Sequence, residues 1–598
     1  MDDTLSSAAP GDRWRWWGVL ALVSLLAATL WAYLPILGNG FVWDDGANLI
    51  GARAKWNDGA SGIVWAFTVP FNGHYQPLTW LSYRMDVLIS GATPRGVHAT
   101  NLALHLLATA LVGALAWWFA GRTFSGPRAG TDRLRQGAAT LLCAALFALH
   151  PIHVETVAWA TERRDLLSTV LVLAAVLLHL RTAPADTTPS RTRGTVSLLH
   201  AFAALARAQM SLPFVLLALD LWPLGRLGSD PGKGRRLPRL VAEKSLSLAV
   251  AAISAAAAIW AQASSGALTA TSEHGVLDRL VQAGYNFAFY PAALVYRSAW
   301  LPLHERPFPF EPLDQPYLLP AIVALLAIVA SWALCRRWPA LTVAVGSYLL
   351  FLLPVSGLAQ SGIQLVAERY AYLATVPLLL LAGVAAVKLC LGPSRISTGT
   401  SGGASDSLPR SAARARILSI GAIGGIGAIA VLTLMTLATH RQTAVWHDDE
   451  TLWRHVLAHS GSCLADNNLG QILFARGESG PALFHLTRAL ERVPLYPRPW
   501  RALAAILEAP WPEGAPPTTQ VAAALARAAA LSPGSTVATY ASALAWRAAG
   551  DPERARIGLK KILAIEPGHD GARLALAGLD AGVRTTPSFS APALPVGP

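Results

Sequence analysis

The residues from His150 to Asp165, HPIHVETVAWATERRD, place seven ionisable side chains between two apolar runs. The flanking residues 137–149 and 166–180 are apolar enough to predict membrane-spanning helices. Charged side chains at membrane depth are costly unless they face a polar cavity. The block therefore predicts a functional site, although a charged connection at the bilayer surface is the plainer interpretation.

The residue types in this block suit proton transfer and anion binding. Glu155 and Glu162 are seven residues apart, so they are expected to share one face of a helix, flanked by Arg163 and Asp165. A carboxylate can accept a proton, and a guanidinium can hold phosphate oxygens in a bidentate fashion.

Composition limits the class of protein that must position these residues. The chain has 598 residues, 53% of them hydrophobic and 14% charged, with a mean hydropathy of +0.41. These values exclude an ordinary soluble enzyme and predict an all-α, multi-pass membrane protein. The net charge is +13, and the basic residues lie mainly in short connections between apolar runs, as in positive-inside loops. We find no basic and aromatic surface for nucleic acid.

The numbers of cysteine and arginine residues indicate the cellular compartment of the protein. The four cysteines form neither a disulfide framework nor paired metal spacing, so redox chemistry is not indicated. Arginine outnumbers lysine and alanine is abundant, which is typical of a GC-rich bacterial gene. We therefore expect a bacterial inner membrane.

Loop charges predict a topology in which residues 1–440 form the membrane domain. Arg13 and Arg15 place the N-terminus in the cytoplasm, and eleven crossings follow, with an interfacial or re-entrant segment at 283–301. This order places several polar stretches on the outer side, namely the long loop 38–96 with Asp44, Asp45, His74 and Arg84, the block from His150 to Asp165, and Glu368 with Arg369.

Residues 441–598 differ in character and are predicted to lie on the outer side as well. They contain small and large residues at helix-pair spacing around Gly470, and Pro494, Pro533 and Pro567 recur after 39 and 34 residues. This pattern predicts about three tetratricopeptide repeats, with a disordered tail from about residue 583. An unrelated alanine-rich helical domain is the alternative.

The outer polar residues suit one reaction in particular. Transfer of a sugar from a lipid phosphate to a hydroxyl needs a carboxylate to take the acceptor proton and a cation to stabilise the departing phosphate. The sequence has no Walker A loop and no dinucleotide fingerprint, so a membrane-embedded donor is favoured over a soluble nucleotide.

Several motifs are spread over nearly the whole chain, namely FVWDDG, YQPLTWLSY, HATNLALHLL, ALHPIHVETVAWATERRDLLS, SLPFVLLALDLWPLGR, GLAQSGIQLVAERYAYL and the C-terminal repeats. Together they resemble a known family, the transmembrane and tetratricopeptide-repeat O-mannosyltransferases and their bacterial relatives, within the GT-C class of glycosyltransferases.

The resemblance implies a polyprenyl-phosphate sugar donor, with mannose as the expected sugar, and Ser or Thr hydroxyls of exported proteins as acceptors, presented by the repeats. It implies that Asp44 or Asp45 is the catalytic base, without choosing between them. The remaining family positions, with roles in donor or acceptor binding, correspond to Glu155, Arg163, Asp165, Glu368 and Arg369. Of these, the basic residues Arg163 and Arg369 are the candidates for binding the donor phosphate. One departure concerns the donor pocket, because LARAQM stands where relatives often have a lysine-proline pair.

Each of these residues also has a structural interpretation. The two aspartates could cap a helix, and the late acidic-arginine pair could fix helix packing. His74 could be a loop histidine without a ligand. His150 and His153 have a spacing that allows a divalent metal ion, but a lone HxxH pair fits a structural turn equally well, so the metal question stays open.

Two other functions compete with glycosyl transfer. A non-catalytic membrane scaffold could use the repeats to recruit envelope proteins, but it leaves the outer carboxylates unexplained. A lipid-linked oligosaccharide ligase or translocator is the third hypothesis, although transport would favour polar residues near the middle of several spans.

Overall fold

A computed structural model of the chain describes residues 10–91, 93–125, 129–183, 189–226, 233–265, 274–296, 299–359, 362–391, 410–494, 497–508, 519–531 and 534–581. These residues are predominantly helical, and their strands are limited to β1, His304–Glu305, and β2, Gln364–Val366. They form two compact units. The first runs to Trp300 and from Glu311 to His447, and the second contains Leu301–Phe310 and the residues from Asp448 onward.

The first unit contains helices α1 to α18. Their bounds are Pro10–Tyr33 (α1), Arg53–Trp56 (α2), Gly59–Thr68 (α3), Pro77–Ser90 (α4), Pro94–Thr123 (α5), Ala129–Leu149 (α6), Val154–Ala158 (α7), Arg163–Thr182 (α8), Ser190–Ala206 (α9), Leu212–Leu221 (α10), Lys233–Glu243 (α11), Ser245–Ser264 (α12), Val276–Val295 (α13), Gln315–Ala333 (α14), Pro339–Leu352 (α15), Ala371–Ala374 (α16), Val376–Cys390 (α17) and Arg410–Thr443 (α18).

The first unit is a multi-pass helical membrane domain. Within the described residues, six helices are long and apolar enough to cross a bilayer, and two bent pairs raise this to eight. The bends lie between α6 and the segment Pro151–Ala158 (51°) and between Glu368–Ala374 and α17 (62°). The predicted all-α polytopic class is confirmed. The count of eleven crossings stays a prediction. The re-entrant role of residues 283–301 also stays a prediction, and the structure has the C-terminal part of α13 in this range.

The described residues of the segment 38–96, which was predicted to be a long outer loop, are folded. After a π-helical turn at Gly46–Gly51 come α2, α3 and α4. Trp56, Trp80 and Tyr83 are almost fully buried and form a small hydrophobic core with their neighbours. Sequence periodicity did not reveal this core, because its large aromatic residues are spread over several short helices.

Helices are interrupted where polar residues gather. The block after α6 forms 3-10 turns at Pro151–His153 and Ala160–Glu162 on either side of α7, and Trp159 between them is extended. Glu155 and Glu162 therefore do not share a continuous helix face, which corrects the sequence-based expectation. Non-helical backbone is tolerated at membrane depth only where protein buries it or it lines a polar cavity.

The second unit contains helices α19 to α26 in sequence order. Their bounds are Asp449–His459 (α19), Cys463–Ala475 (α20), Ser479–Arg492 (α21), Pro497–Glu508 (α22), Thr519–Ala530 (α23), Thr536–Ala548 (α24), Pro552–Ile565 (α25) and Asp570–Asp580 (α26).

Small residues lie where helices of this unit approach closely. An added Cβ at Gly470 of α20 would come within 2.7 Å of the side chain of Leu486 in α21. The assignment to tetratricopeptide repeats and the domain boundary at 440/441 stay predictions. Pro533 and the tail expected from about residue 583 lie outside the described residues.

Candidate active site

Asp45 joins the folded segment 38–96 to the polar block. Its carboxylate oxygen Oδ1 accepts hydrogen bonds from the backbone nitrogen of Thr161 at 2.7 Å and from the Thr161 hydroxyl at 2.6 Å. The other oxygen, Oδ2, accepts from the backbone nitrogen of Val42 at 3.0 Å. Asp45 is completely buried, so these bonds fix its position and leave little access for a substrate.

Asp44 is held beside the same block but remains partly exposed. On its N-terminal side, the indole of Trp43 stacks on Trp159 with a centroid distance of 4.7 Å. On its C-terminal side, Asp45 is bonded to Thr161. Trp43 has φ of +54°, an unfavourable value for a large residue, and such conformations cluster at functional sites. Of the two acids, Asp44 is therefore the better placed to meet an acceptor.

The carboxylates of the block meet an arginine from far along the chain. Glu155 pairs with the guanidinium of Arg369 and accepts a bond from the Arg369 backbone nitrogen at 3.0 Å. The same guanidinium has its Nε 3.4 Å from Glu162, and Glu162 also pairs with Arg164 at 2.5 Å. The structure thus brings together two acids expected from the sequence and Arg369, and it adds Arg164.

A second pair extends this cluster. Asp165, which is 2% exposed, pairs with Arg207, the residue that follows α9. Sequence reasoning did not select Arg207 as a site residue. The available signal was its place in LARAQM, the stretch where this sequence departs from the lysine-proline pair of the family that it resembles.

His74 lies within the electrostatic influence of the cluster. Burial lowers the pKa of His74 well below its usual range, and the charge of nearby Arg164 lowers it further, although Glu162 opposes the shift. His74 is therefore neutral near pH 7 and can act as a hydrogen-bonding group rather than as a cation.

Arg163 has a different environment from its neighbour Arg164. It is fully buried, pairs with Asp86, and donates to the Asn101 side chain at 2.8 Å and to the Val97 carbonyl at 2.6 Å. These contacts occupy its guanidinium and connect α8 to α4 and α5. The placement favours a structural role for Arg163 and favours Arg164 as a binding residue.

The two histidines of the block contact backbone groups. His150 has Nε2 3.2 Å from the Leu294 carbonyl, while its Nδ1 accepts from the Ile152 backbone nitrogen. His153 Nδ1 lies 2.7 Å from the Phe147 carbonyl. Among the described residues, no group of three or more His, Cys, Asp or Glu side chains has an arrangement suited to a metal. Both histidines therefore suit the structural turn.

Two further predicted residues lie at the margins of this arrangement. Arg84 donates to the Gly59 carbonyl at 2.5 Å, so it supports the folded segment 38–96. Glu368 is 2% exposed and begins the 3-10 turn that presents Arg369. Neither placement assigns a substrate contact.

Burial also changes the acid-base behaviour of the aspartate pair. It raises the pKa of Asp45 to about 7, against the lowering effect of its hydrogen bonds from Thr161 and Val42, and the charge of Asp44 raises it slightly further. Near neutral pH the pair can therefore carry a single proton on the buried member, which leaves Asp44 as the acid with access to a substrate.

Comparison with known proteins identifies relatives for part of the chain. It is 34% identical over 196 residues to protein O-mannosyl-transferase Tmtc2 of Drosophila melanogaster, a match that covers 29% of this chain and 19% of that protein. It is 35% identical over 224 residues to protein O-mannosyl-transferase Tmtc1 of the same species, covering 35% and 24%. This chain resembles the TMTC protein O-mannosyl-transferases. The aligned part spans about a fifth to a quarter of the length of these curated relatives.

The similarity is also seen with a vertebrate relative. Protein O-mannosyl-transferase TMTC4 of Mus musculus is 28% identical over 189 residues, which cover 30% of this chain and 25% of that protein. The predicted resemblance to this family is confirmed, but over about a third of the chain rather than nearly all of it. No protein-family model matches the chain, and no solved structure matches it.

Proposed function

We propose that the chain is a membrane glycosyltransferase of GT-C type that moves a sugar, expected to be mannose, from a polyprenyl phosphate to a Ser or Thr hydroxyl of a protein. One observation carries the proposal: the hydrogen bonds between Asp45 and Thr161 hold the partly exposed Asp44 beside the cluster of carboxylates and guanidiniums. The named activity of the partial relatives supports it.

In the proposed reaction Asp44 is the general base. The acceptor oxygen attacks the anomeric carbon, its proton passes to the Asp44 carboxylate, and the bond from the anomeric carbon to the phosphate oxygen breaks. Polyprenyl phosphate leaves with the electron pair of that bond. Arg164 and Arg369 lie at the cluster where the extra negative charge of the leaving group would be stabilised.

The surroundings of these residues suit such a step. Glu155 and Glu162 hold the guanidiniums of Arg369 and Arg164 in fixed directions, so little reorganisation is needed when the phosphate charge increases. The neutral His74 can bond to the sugar or the acceptor without adding charge.

The localisation follows from the same proposal. We place the N-terminus in the cytoplasm of a bacterial cell and the site on the outer face of the inner membrane. In the first unit, the carbonyl of His447 accepts a bond from the Gly40 backbone nitrogen at 2.9 Å, so the end of the last span lies beside the segment that leads to Asp44. The residues that follow His447 would then begin on the outer side.

Purified protein incubated with radiolabelled polyprenyl-phosphate sugars and a Ser/Thr peptide tests the activity. We expect label from the mannosyl donor on the peptide, and its loss when every acceptor hydroxyl is replaced by alanine. If no sugar in the panel is transferred by a folded preparation, the proposed function fails.

A further inference from the structure

We infer that Arg207 is a donor-binding residue that contacts the phosphate oxygens of the lipid donor, and that Asp165 positions it. The inference rests on the proposed function and extends its binding site to a residue from the link between α9 and α10. Four observations support it: the exposure of Arg207, the rigidity of its backbone, the orientation of its guanidinium and the charge balance of the cluster.

Arg207 is the most accessible of the four arginines near the block. Its side chain is 29% exposed, against 10% for Arg164, 10% for Arg369 and 0% for Arg163. A ligand can therefore reach Arg207 without displacing protein groups that already surround the other three. A partly exposed cation beside buried ones is the expected first contact for an anion that enters from outside.

The backbone around Arg207 is held on both sides by side chains of other helices. The helix α9 ends at Ala206, whose carbonyl accepts a bond from the Thr79 hydroxyl at 2.9 Å. Two residues after Arg207, the backbone nitrogen of Gln209 donates to the Ser254 hydroxyl at 2.9 Å, and the Gln209 carbonyl lies 2.9 Å from His200 Nε2. This link is thus a fixed, non-helical platform, of the kind that lines polar sites in membrane proteins.

Two contacts orient the guanidinium of Arg207. Its Nη1 pairs with the buried carboxylate of Asp165, and its central carbon lies 5.8 Å from the ring centroid of Tyr370. A guanidinium carries five N–H donors in a planar fork, so one pair with a carboxylate leaves others for phosphate oxygens. Asp165 thereby fixes the plane of the fork and acts through Arg207, which makes it a positioning residue.

The charges of the cluster permit an anion at this place. Glu155, Glu162 and Asp165 face Arg164, Arg207 and Arg369, so the carboxylates of this cluster do not outnumber its guanidiniums. The donor is a phosphodiester with one negative charge, whereas the departing lipid monophosphate carries more. Arg207 should therefore bind the product-like monophosphate more tightly than the donor, which favours the departure of the leaving group.

The test measures binding of a short-chain polyprenyl monophosphate to the full-length protein in detergent, together with transfer kinetics. For Arg207→Ala we expect about tenfold to hundredfold weaker binding, the usual effect of removing a hydrogen bond to a charged group. Lysine at position 207 should restore part of the affinity. In Arg207→Ala the KM for the donor should rise, while the KM for the acceptor peptide stays unchanged. The control is Arg191→Ala, on the exposed first turn of α9, which should behave as wild type.

Asp165→Asn separates positioning from folding. It should weaken lipid phosphate binding in the wild-type background and have no further effect in the Arg207→Ala background, because both changes act on one contact. The melting temperature of each variant shows whether it is folded. Inorganic phosphate should not compete with the lipid phosphate at equal concentration, and equal competition would overturn the assignment to a lipid donor.

Other outcomes distinguish this inference from the function on which it rests. If folded Arg207→Ala binds the lipid phosphate as tightly as wild type, the inference is overturned while the proposed transfer can stand. If binding depends on Arg207 but no sugar reaches a peptide, the site is supported and the transferase proposal fails. Equal losses of donor and acceptor affinity would indicate general damage and also overturn the inference.

Discussion

Asp45 and Thr161 are 116 residues apart in sequence and are joined by two hydrogen bonds, both to the carboxylate oxygen Oδ1 of Asp45. The bond pair connects the folded segment 38–96 to the break between α7 and α8. Because Asp44 precedes Asp45 directly, the same contact limits where the partly exposed carboxylate of Asp44 can point. The buried acid thus acts as an anchor for the accessible one.

Asp44→Asn should therefore remove activity without unfolding the protein. We expect kcat to fall by about 10² to 10⁴, the usual contribution of a positioned general base. The melting temperature in detergent and the affinity for lipid phosphate should stay close to wild type, because only a proton acceptor is lost. Initial rates with a labelled donor and a Ser/Thr peptide provide the measurement.

The matched control for this prediction is Asp45→Asn. Its side chain is buried and bonded, so its replacement should lower the melting temperature more than the change at Asp44 does. Full activity in both single variants and in the double variant would remove the pair from the mechanism.

The raised pKa of Asp45 predicts how stability depends on pH. Its folded-state value of about 7 lies above its ordinary value of 3.8, so the unfolded chain releases this proton more readily. The stability associated with the protonated form is complete below about pH 4 and is lost as pH rises to 7. The shift corresponds to roughly 4 kcal/mol at most, since each pKa unit is about 1.4 kcal/mol.

Thermal unfolding measured from pH 4 to pH 8 checks this prediction. The melting temperature of the wild type, measured relative to that of Asp45→Asn, should fall as pH rises. Other titrating groups contribute equally to both proteins and cancel in the comparison. Parallel pH profiles would show that Asp45 does not titrate in this range.

The sequence predicted which stretches contribute to the candidate site better than it predicted which side chains pair within it. Seven ionisable residues between apolar runs indicated the block, because charge at membrane depth is costly, and the loop charges predicted that Asp44 lies on the same side. Arg163 and Arg164 show the limit. Consecutive helix residues point about 100° apart, so which one meets Asp86 in the interior and which meets Glu162 depends on packing that no local pattern encodes.

Arg163 and Arg164 should consequently give opposite phenotypes. Arg163→Ala leaves Asp86 buried without its cation, and breaking such a pair costs about 3 to 5 kcal/mol. We expect a large drop in melting temperature for that variant. Arg164→Ala should have a smaller effect on stability, since Glu162 keeps Arg369 within 3.4 Å, but it should raise the donor KM.

The combined change Arg163→Met with Asp86→Leu tests the structural role of the buried pair. Replacing both partners by apolar residues of similar size removes the unpaired charge, so much of the stability should return. If the double variant is stable but no longer binds lipid phosphate, Arg163 contacts the donor after all.

The second unit leads to a prediction about how a protein acceptor is bound. We propose that its helices bind a protein acceptor and so raise the effective concentration of that acceptor at the site. Removing residues 497–598 retains α19 to α21, where Glu305 accepts bonds from the Ser462 hydroxyl at 2.6 Å and the Leu464 backbone nitrogen at 3.2 Å. A deletion that began earlier would leave Glu305 without these donors.

The truncated protein should transfer sugar poorly to a protein acceptor at low concentration but normally to a short Ser/Thr peptide supplied at high concentration. The reason is that the deletion removes a binding surface and leaves the cluster around Glu162 intact. Rates with both acceptors over a range of concentrations give the comparison, with a melting curve as evidence of folding. Equal rates on the protein acceptor for the folded truncated and intact chains would show that α22 to α26 do not present the acceptor.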